Sequence, residues 1–173
     1  ISIDEAFLDI TGSFHFWKTP LETCRKIKER ITSEVNLTAS IGIAPVKFVA
    51  KIASDSCKPD GLLEIGQEKL FNFLWPLPIE KLWGIGPKSK MALNKMGIKT
   101  IGELAGTSRE TLFERFGLSG LHLHDLANAI DEREVEMEHE TKSVGHEHTF
   151  GVDTDDKEKI YGALLSLSEE TSR

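Results

Sequence analysis

The hydrophobic pattern changes character at Gly66, and that switch restricts the chain to a mixed α and β part followed by a helical part. Before it, short runs of β-forming residues alternate with stretches of helical spacing. After it, apolar residues recur every three or four positions. Ser2-Ile3-Asp4-Glu5-Ala6-Phe7-Leu8 reads as an opening strand, and Thr11-Gly12-Ser13 as the turn that ends it. Thr19-Pro20-Leu21-Glu22 carries the marks of a helix start, with Thr19 as N-cap, Pro20 in the first turn and Glu22 closing a capping box. Leu21, Cys24, Ile27, Ile31 and Val35 then form its apolar side. Leu37–Ile43 alternates as a second strand, and Phe48, Val49 and Ile52 mark a second helix. Lys58-Pro59-Asp60-Gly61 is a tight turn before a short strand, Leu62–Ile65. This order fits a parallel α/β sheet or an α+β arrangement, and the pattern alone does not separate them.

Beyond Gly66, residues 67–74 predict a short helix ended by Pro76 and Pro78. Ile79–Trp83 and Ser89–Met96 predict two short helices around Gly84-Ile85-Gly86, with Pro87 opening the second. Thr100 with Glu103 is a further capping box, Ser108 caps another helix, and Ser119 starts a last one reaching Ile130. Residues 131–140 hold Asp131, Glu132, Glu134, Glu136, Glu138 and Glu140 against Arg133 alone, which reads as a solvated, extended linker. Ser143–Phe150 then reads as a strand and Asp153–Arg173 as a capped helix, with Ile160, Leu164, Leu165 and Leu167 as its core side.

The 173 residues are 39% hydrophobic and 28% charged, ordinary for a water-soluble globular protein. No apolar run approaches the ~20 residues that span a bilayer. Cys24 and Cys57 stand alone, which favours unlinked thiols in a reducing compartment, hence the cytoplasm. With no initiator Met, an opening inside a strand and a close in a charged helix, the chain reads as a piece of a longer protein. The net charge of −7 conceals segregation, because residues 81–99 hold Lys81, Lys88, Lys90, Lys95 and Lys99 with no acid among them.

Three features carry chemistry. Asp4 and Glu5 sit side by side among apolar residues, where carboxylates hold a cation or are simply solvated at a turn. In a regular strand neighbouring side chains point to opposite faces, so the two share a cation only if the backbone twists, bulges or turns there. Lys58, in a rigid turn, is placed for a phosphate, whereas Lys47 and Lys51 fit either a phosphate contact or a solvated helix face. The Gly84-Ile85-Gly86 loop with Lys88 and Lys90 describes a helix-hairpin-helix. Its glycines admit close backbone approach, and the second helix's unsatisfied amides and dipole attract anions. The bland alternative is a packing turn. His122 with His124, and His146 with His148, lack a third ligand at a recognised zinc spacing and read as ordinary histidines.

Taken in order, SIDEAFLDIT, SIGIAPVKFVAKIASDSCKPDG, LWGIGPKSKMALNKMGIKTIGEL and SVGHEHTF resemble the Y-family translesion DNA polymerases of the DinB branch. The resemblance implies an α+β fold divided into a partial palm at 1–65, a thumb at 66–130, a linker at 131–141 and the start of a little-finger domain at 142–173. It also implies that Asp4 and Glu5 hold Mg²⁺, that Lys58 contacts the incoming deoxynucleoside triphosphate, and that Gly84, Ile85, Gly86, Lys88 and Lys90 grip primer-template DNA. The implied reaction is DNA-directed nucleotidyl transfer in DNA repair. The family's third carboxylate, its gate against ribonucleotides, most of the little finger and the clamp-binding tail are not matched. The chain by itself is therefore expected not to polymerise and not to hold Mg²⁺ tightly, the sliding clamp being a partner of the parent alone. An unpaired sheet edge is expected to allow a dimer, and no membrane is expected as a partner.

Overall fold

The apolar stripes of the first 65 residues become a strand-helix-strand unit with a further helix beside it. In the computed structural model, residues 4–12, 18–136 and 143–172 are described, and the chain divides into two units, residues 1–135 and 136–173. Helix α1 (Pro20–Val35) starts as its sequence requires, with the Thr19 hydroxyl accepting the Glu22 amide at 3.2 Å and Pro20 in the first turn. Strand β1 (Ile41–Ile43), helix α2 (Lys47–Ser56) and strand β2 (Leu62–Glu64) follow. The strands are parallel, pairing Ile41 with Leu62, Gly42 with Leu63 and Ile43 with Glu64. A parallel pair needs a crossover, and α2 supplies it. Helix α2 also lies on β1 so closely that a Cβ on Gly42 would fall 2.0 Å from the Ala50 carbonyl oxygen and 2.4 Å from the Ser54 nitrogen.

Two expected strands of this region differ. Residues 1–3 lie outside the described residues, and residues 4–10 form no ladder, so the opening strand is not found among those described. Side chains rather than a neighbouring strand hold this segment, with Glu5 bound to Lys51 and the Phe7 ring under the Lys47 ammonium. The second strand is shorter than Leu37–Ile43, because residues 37–40 are irregular. There the carbonyl of Ala39 takes the Lys28 ammonium and that of Ser40 takes the Ser54 hydroxyl, at 2.9 Å, in place of ladder bonds. Ser13, placed in the first turn, lies outside the described residues.

The helical part begins with a 3₁₀ turn (Gln67–Lys69) and α3 (Leu70–Leu74), then a second 3₁₀ turn (Ile79–Lys81) and α4 (Pro87–Lys95). Helices α5 (Ile101–Ala105), α6 (Arg109–Phe116) and α7 (Leu118–Ala127) complete it. Thr100 caps α5 with the full reciprocal box, Glu103 returning to the Thr100 amide at 2.9 Å, and Ser108 caps α6. One hydrophobic cluster runs from Phe48, Val49 and Ile52 of α2 through Leu70, Leu74, Leu93 and Ile101 to Leu123 and Leu126 of α7. The Trp75 indole donates to the Ala127 carbonyl at 3.2 Å, tying α3 to the end of α7. The architecture is α+β, a small parallel sheet within a mostly helical chain.

The start of the acidic stretch is not the solvated linker that its composition predicts. Arg133 stacks on Trp83, 4.6 Å from the ring centre, and its guanidinium takes both oxygens of Asp131, whose side chain is 1% exposed. The Lys47 ammonium donates to the Glu134 carbonyl at 2.6 Å. One arginine and one lysine thus anchor residues 131–134, and a count of charges does not register that; residues 137–142 lie outside the described residues. The Arg133 hydrogen bond holds the Asp131 carboxyl below its ordinary 3.8, against the opposing effect of burial. A depressed carboxyl stabilises the fold above its ordinary value and loses that contribution as pH falls through the lowered one. Asp131→Asn should therefore show a shallower fall in melting temperature than wild type between about pH 5 and about pH 2 in a thermal-melting series.

In the second unit, residues 143–150 form no ladder, so the strand expected there is not found; among the described residues nothing pairs with it. Helix α8 (Lys157–Thr171) is capped by Asp156, which accepts the Glu158 and Lys159 amides. Its expected core side is not buried among the described residues, and Leu164 and Leu165 stand exposed. Arg173 lies outside them.

Candidate active site

The opening acids are placed by the backbone's departure from a strand. Asp4 lies in a turn, so the alternation that would send Asp4 and Glu5 to opposite faces does not apply, and both line one cavity of about 600 Å³. Its apolar walls come from Phe7 and Leu8, Ile27 and Ile31 of α1, and Ile41 and Ile43 of β1, while Lys51 and Lys58 line its polar side. The structure thus brings together Asp4, Glu5 and Lys58, which lie far apart in sequence.

A chain of ion pairs runs through this polar side. The Lys51 ammonium sits 2.6 and 2.7 Å from the two oxygens of Glu5 and 3.8 Å from Asp55, and Asp55 holds Lys58 at 2.7 Å. Asp55 raises the Lys58 ammonium above the ordinary lysine value, first by its hydrogen bond and then by its charge, and Glu5 and Asp4 add to this at longer range. The same hydrogen bond, with the charges of Lys51, Lys58 and Lys81, holds the Asp55 carboxyl below its usual range. The turn carrying Lys58 is fixed from α1. Lys28, half-buried, donates to the Asp60 carbonyl at 2.8 Å and pairs with the Asp60 carboxylate at 2.5 Å.

The hairpin stands next to this cluster. A second cavity of about 230 Å³ is lined by Lys51 and Asp55 on one side and by Lys81, Trp83, Gly84 and Ile85 on the other. Gly84 takes φ 92°, a backbone that side chains rarely adopt, and the chain thereby reverses between Leu82 and the helix. Gly86 is the N-cap of α4, Pro87 opens it, and no side chain caps it. The first-turn amides that lack intrahelical partners are therefore left for solvent or a ligand. Ile85 packs on the core. Lys88 is exposed, but Lys90 pairs with Glu80 at 2.9 Å across the hairpin and pulls the Glu80 carboxyl below its usual range. The Phe7 and Trp83 rings lie 6.3 Å apart, so the acid-bearing segment touches the hairpin directly.

Sequence reasoning missed Asp55 and left Lys51 open. A signal was present, since Lys51, Asp55 and Lys58 follow one another at four and three residues and so share a helix face and its C-terminal extension. Lys28 carried none, because Asp60 is 32 residues away, and neither did the stacking of Arg133 on Trp83. His122 is exposed, and His124 is half-buried with its Nδ1 lacking a hydrogen-bond partner. His146 lies 3.5 Å from Glu170, and His148 meets Phe150 edge to face. Among the described residues no group of three His, Cys, Asp or Glu side chains is arranged around a point where a metal would sit.

The chain is similar to known proteins along its whole length. Residues 1–55 match the impB/mucB/samB family and residues 68–98 the helix-hairpin-helix motif of the IMS family. DNA polymerase IV of Desulfatibacillum aliphaticivorans is 42% identical over 173 residues, which are 100% of this chain and 44% of that protein. DNA polymerase IV of Moorella thermoacetica is 42% identical over 174 residues, covering 99% of this chain and 44% of its own length. A Y-family DNA polymerase chimera containing Dbh superposes with a TM-score of 0.85 at 30% identity, over 95% of this chain and 48% of that one. The structure of DinB from Sulfolobus solfataricus superposes with a TM-score of 0.66 at 31% identity, over 75% of this chain and 38% of that one.

The two family matches, the similarity to DNA polymerase IV along the whole chain and the superposition on a Y-family polymerase place it in the class of the Y-family polymerases. Within that class, the chain belongs to the DinB-like branch. It spans about 44% of the length of the curated relatives it matches.

Proposed function

We propose that this chain forms part of the nucleotidyl-transfer centre and of the DNA grip of a translesion polymerase. The observation that carries the reading is the convergence of Asp4, Glu5 and Lys58 on one cavity whose neighbour is the hairpin. The donor set fits Mg²⁺, since two hard carboxylates suit an ion that takes few protein ligands and completes its shell with water and phosphate. Such an ion, when bound, supplies the positive charge that stabilises the attacking and leaving oxygens of phosphoryl transfer. Asp4 and Glu5 would hold it, and Lys58 would leave Asp55 for the triphosphate of a deoxynucleotide. The Gly84–Gly86 loop and the open amides of α4 would take a phosphate of the primer-template backbone, with Lys88 adding charge. This division supports the partial palm at 1–65, thumb at 66–130, linker and little-finger start as domains of one enzyme. Among the described residues no helix is long and apolar enough to cross a membrane.

Primer extension by the polymerase that contains these residues tests the catalytic half. For the hairpin, Lys88→Glu should weaken duplex binding and lower the slope of log affinity against log salt by about one, as expected for the loss of one phosphate contact. A titration at several salt concentrations measures it, and an unchanged slope would remove Lys88 from the interface. A second reading has the hairpin binding DNA while the acids serve only the fold. The hold of Lys51 on both oxygens of Glu5 favours it, and Asp4 and Glu5 variants separate the two.

A further inference from the structure

Glu5 is already neutralised by a side chain. Both of its oxygens face the Lys51 ammonium, and each of the two side chains is 27% exposed, so this pair is shielded better than a surface one. A divalent cation seeking those oxygens must compete with the ammonium for the same lone pairs. Lys51 has an alternative partner on its own helix, since Asp55 stands one turn further along α2 with its Oδ2 3.8 Å from the Lys51 Nζ. A lysine ammonium on a flexible four-carbon stem is suited to such an exchange, because it is a compact charge with no fixed fork of donors.

We infer that Lys51 is a displaceable counter-ion of the acid pair. It holds Glu5 in place when no divalent cation is present and passes to Asp55 when one enters, so metal uptake is coupled to an ion-pair exchange along α2. The inference rests on the reading that Glu5 binds the cation. It assigns Lys51 a positioning role that neither the motif match nor the hairpin requires. It has a second consequence at the triphosphate side. Asp55 also holds Lys58, so the arrival of a second ammonium at Asp55 loosens its grip on Lys58 and leaves that lysine readier for a phosphate.

Mn²⁺ serves as the probe, with free ion counted by electron paramagnetic resonance as it is titrated into the 173-residue chain. Lys51→Gln should bind Mn²⁺ about fivefold more tightly than wild type, the factor that an ion pair of this exposure represents. Lys51→Arg, which keeps the charge and the pair, should stay close to wild type. Lys47→Gln removes a charge one turn away without touching Glu5, and its effect should be less than about half as large. Glu5→Gln should remove the uptake in every background. Equal or weaker binding by Lys51→Gln, or an equal gain from Lys47→Gln, overturns the counter-ion role while leaving the metal reading in place. Uptake that Glu5→Gln does not change overturns the metal reading and the inference together.

Discussion

Asp4→Ala or Glu5→Ala, placed in the polymerase that carries this segment, should reduce the single-turnover rate of nucleotide incorporation by about a thousandfold or more. On the proposed reading each carboxylate is one part of the enzyme's hold on the cation, and a cation stabilising charge on transferring phosphoryl oxygens is worth several kcal/mol of barrier. At about 1.4 kcal/mol per factor of ten, losing about 4 kcal/mol gives that reduction. Affinity for primer-template DNA should change little, because the hairpin that carries it packs through Ile79, Leu82 and Leu93 and not through the acids. Rapid-quench incorporation and an equilibrium DNA titration on the same preparations give the two numbers. A rate within tenfold of wild type would reduce Glu5 to the structural partner of Lys51 and leave the chain with a DNA-binding role only.

Gly42→Ala should destabilise the first unit by about 3 kcal/mol, at the upper end of what overpacking a well-filled site costs. An added methyl would sit 2.0 Å from the Ala50 carbonyl oxygen and 2.4 Å from the Ser54 nitrogen, and both are backbone atoms of α2 that cannot rotate away. Relief comes only by lifting α2 from β1, which also moves Lys51 and Asp55. The melting temperature should fall by roughly 6–12 °C for a unit of this size. A circular-dichroism melt reads it directly, and a fall of less than roughly 3 °C would mean that α2 and β1 separate easily. Loss of activity in excess of the loss of folded protein would show that the strand-helix contact also sets the spacing of the ion-pair chain.

Much of the local structure was legible because its causes are local. Thr19, Thr100 with Glu103, and Ser108 each satisfy helix-end amides within three or four residues, Pro20 lacks the N–H that would go unpaired in the first turn, and such signals appear in the sequence at fixed offsets. The hairpin was legible for the same reason, since Gly84 and Gly86 around Ile85 permit few other paths into a helix that Pro87 opens. The strands were less so. Residues 4–10 and 143–150 have the composition of strands but no ladder, because a strand exists only through a neighbour that the sequence pattern does not supply. Residues 131–134 failed differently, since counting acids did not register that Arg133 would find Trp83, a helical part away in the sequence.

The amino-acid sequence by itself therefore determined the capped helix starts at Thr19, Thr100 and Ser108, the path of the hairpin through Gly84 and Pro87, and the presence of an acid pair and a turn lysine, while the expected helix from Ser119 to Ile130 runs instead over Leu118–Ala127. Those features depend on the order of neighbouring residues and on the stereochemistry of Gly and Pro. Only the tertiary structure decided that Asp4 and Glu5 face one cavity and that Lys51 holds Glu5. It likewise decided that Asp55 joins that pair to Lys58, and that Lys28 fixes the lysine turn from a different helix. Coulomb attraction acts through space and not along the chain, so the partners of buried and half-buried charges are set by packing. The opening acids thereby carry an internal cation, Lys51, paired with both oxygens of Glu5.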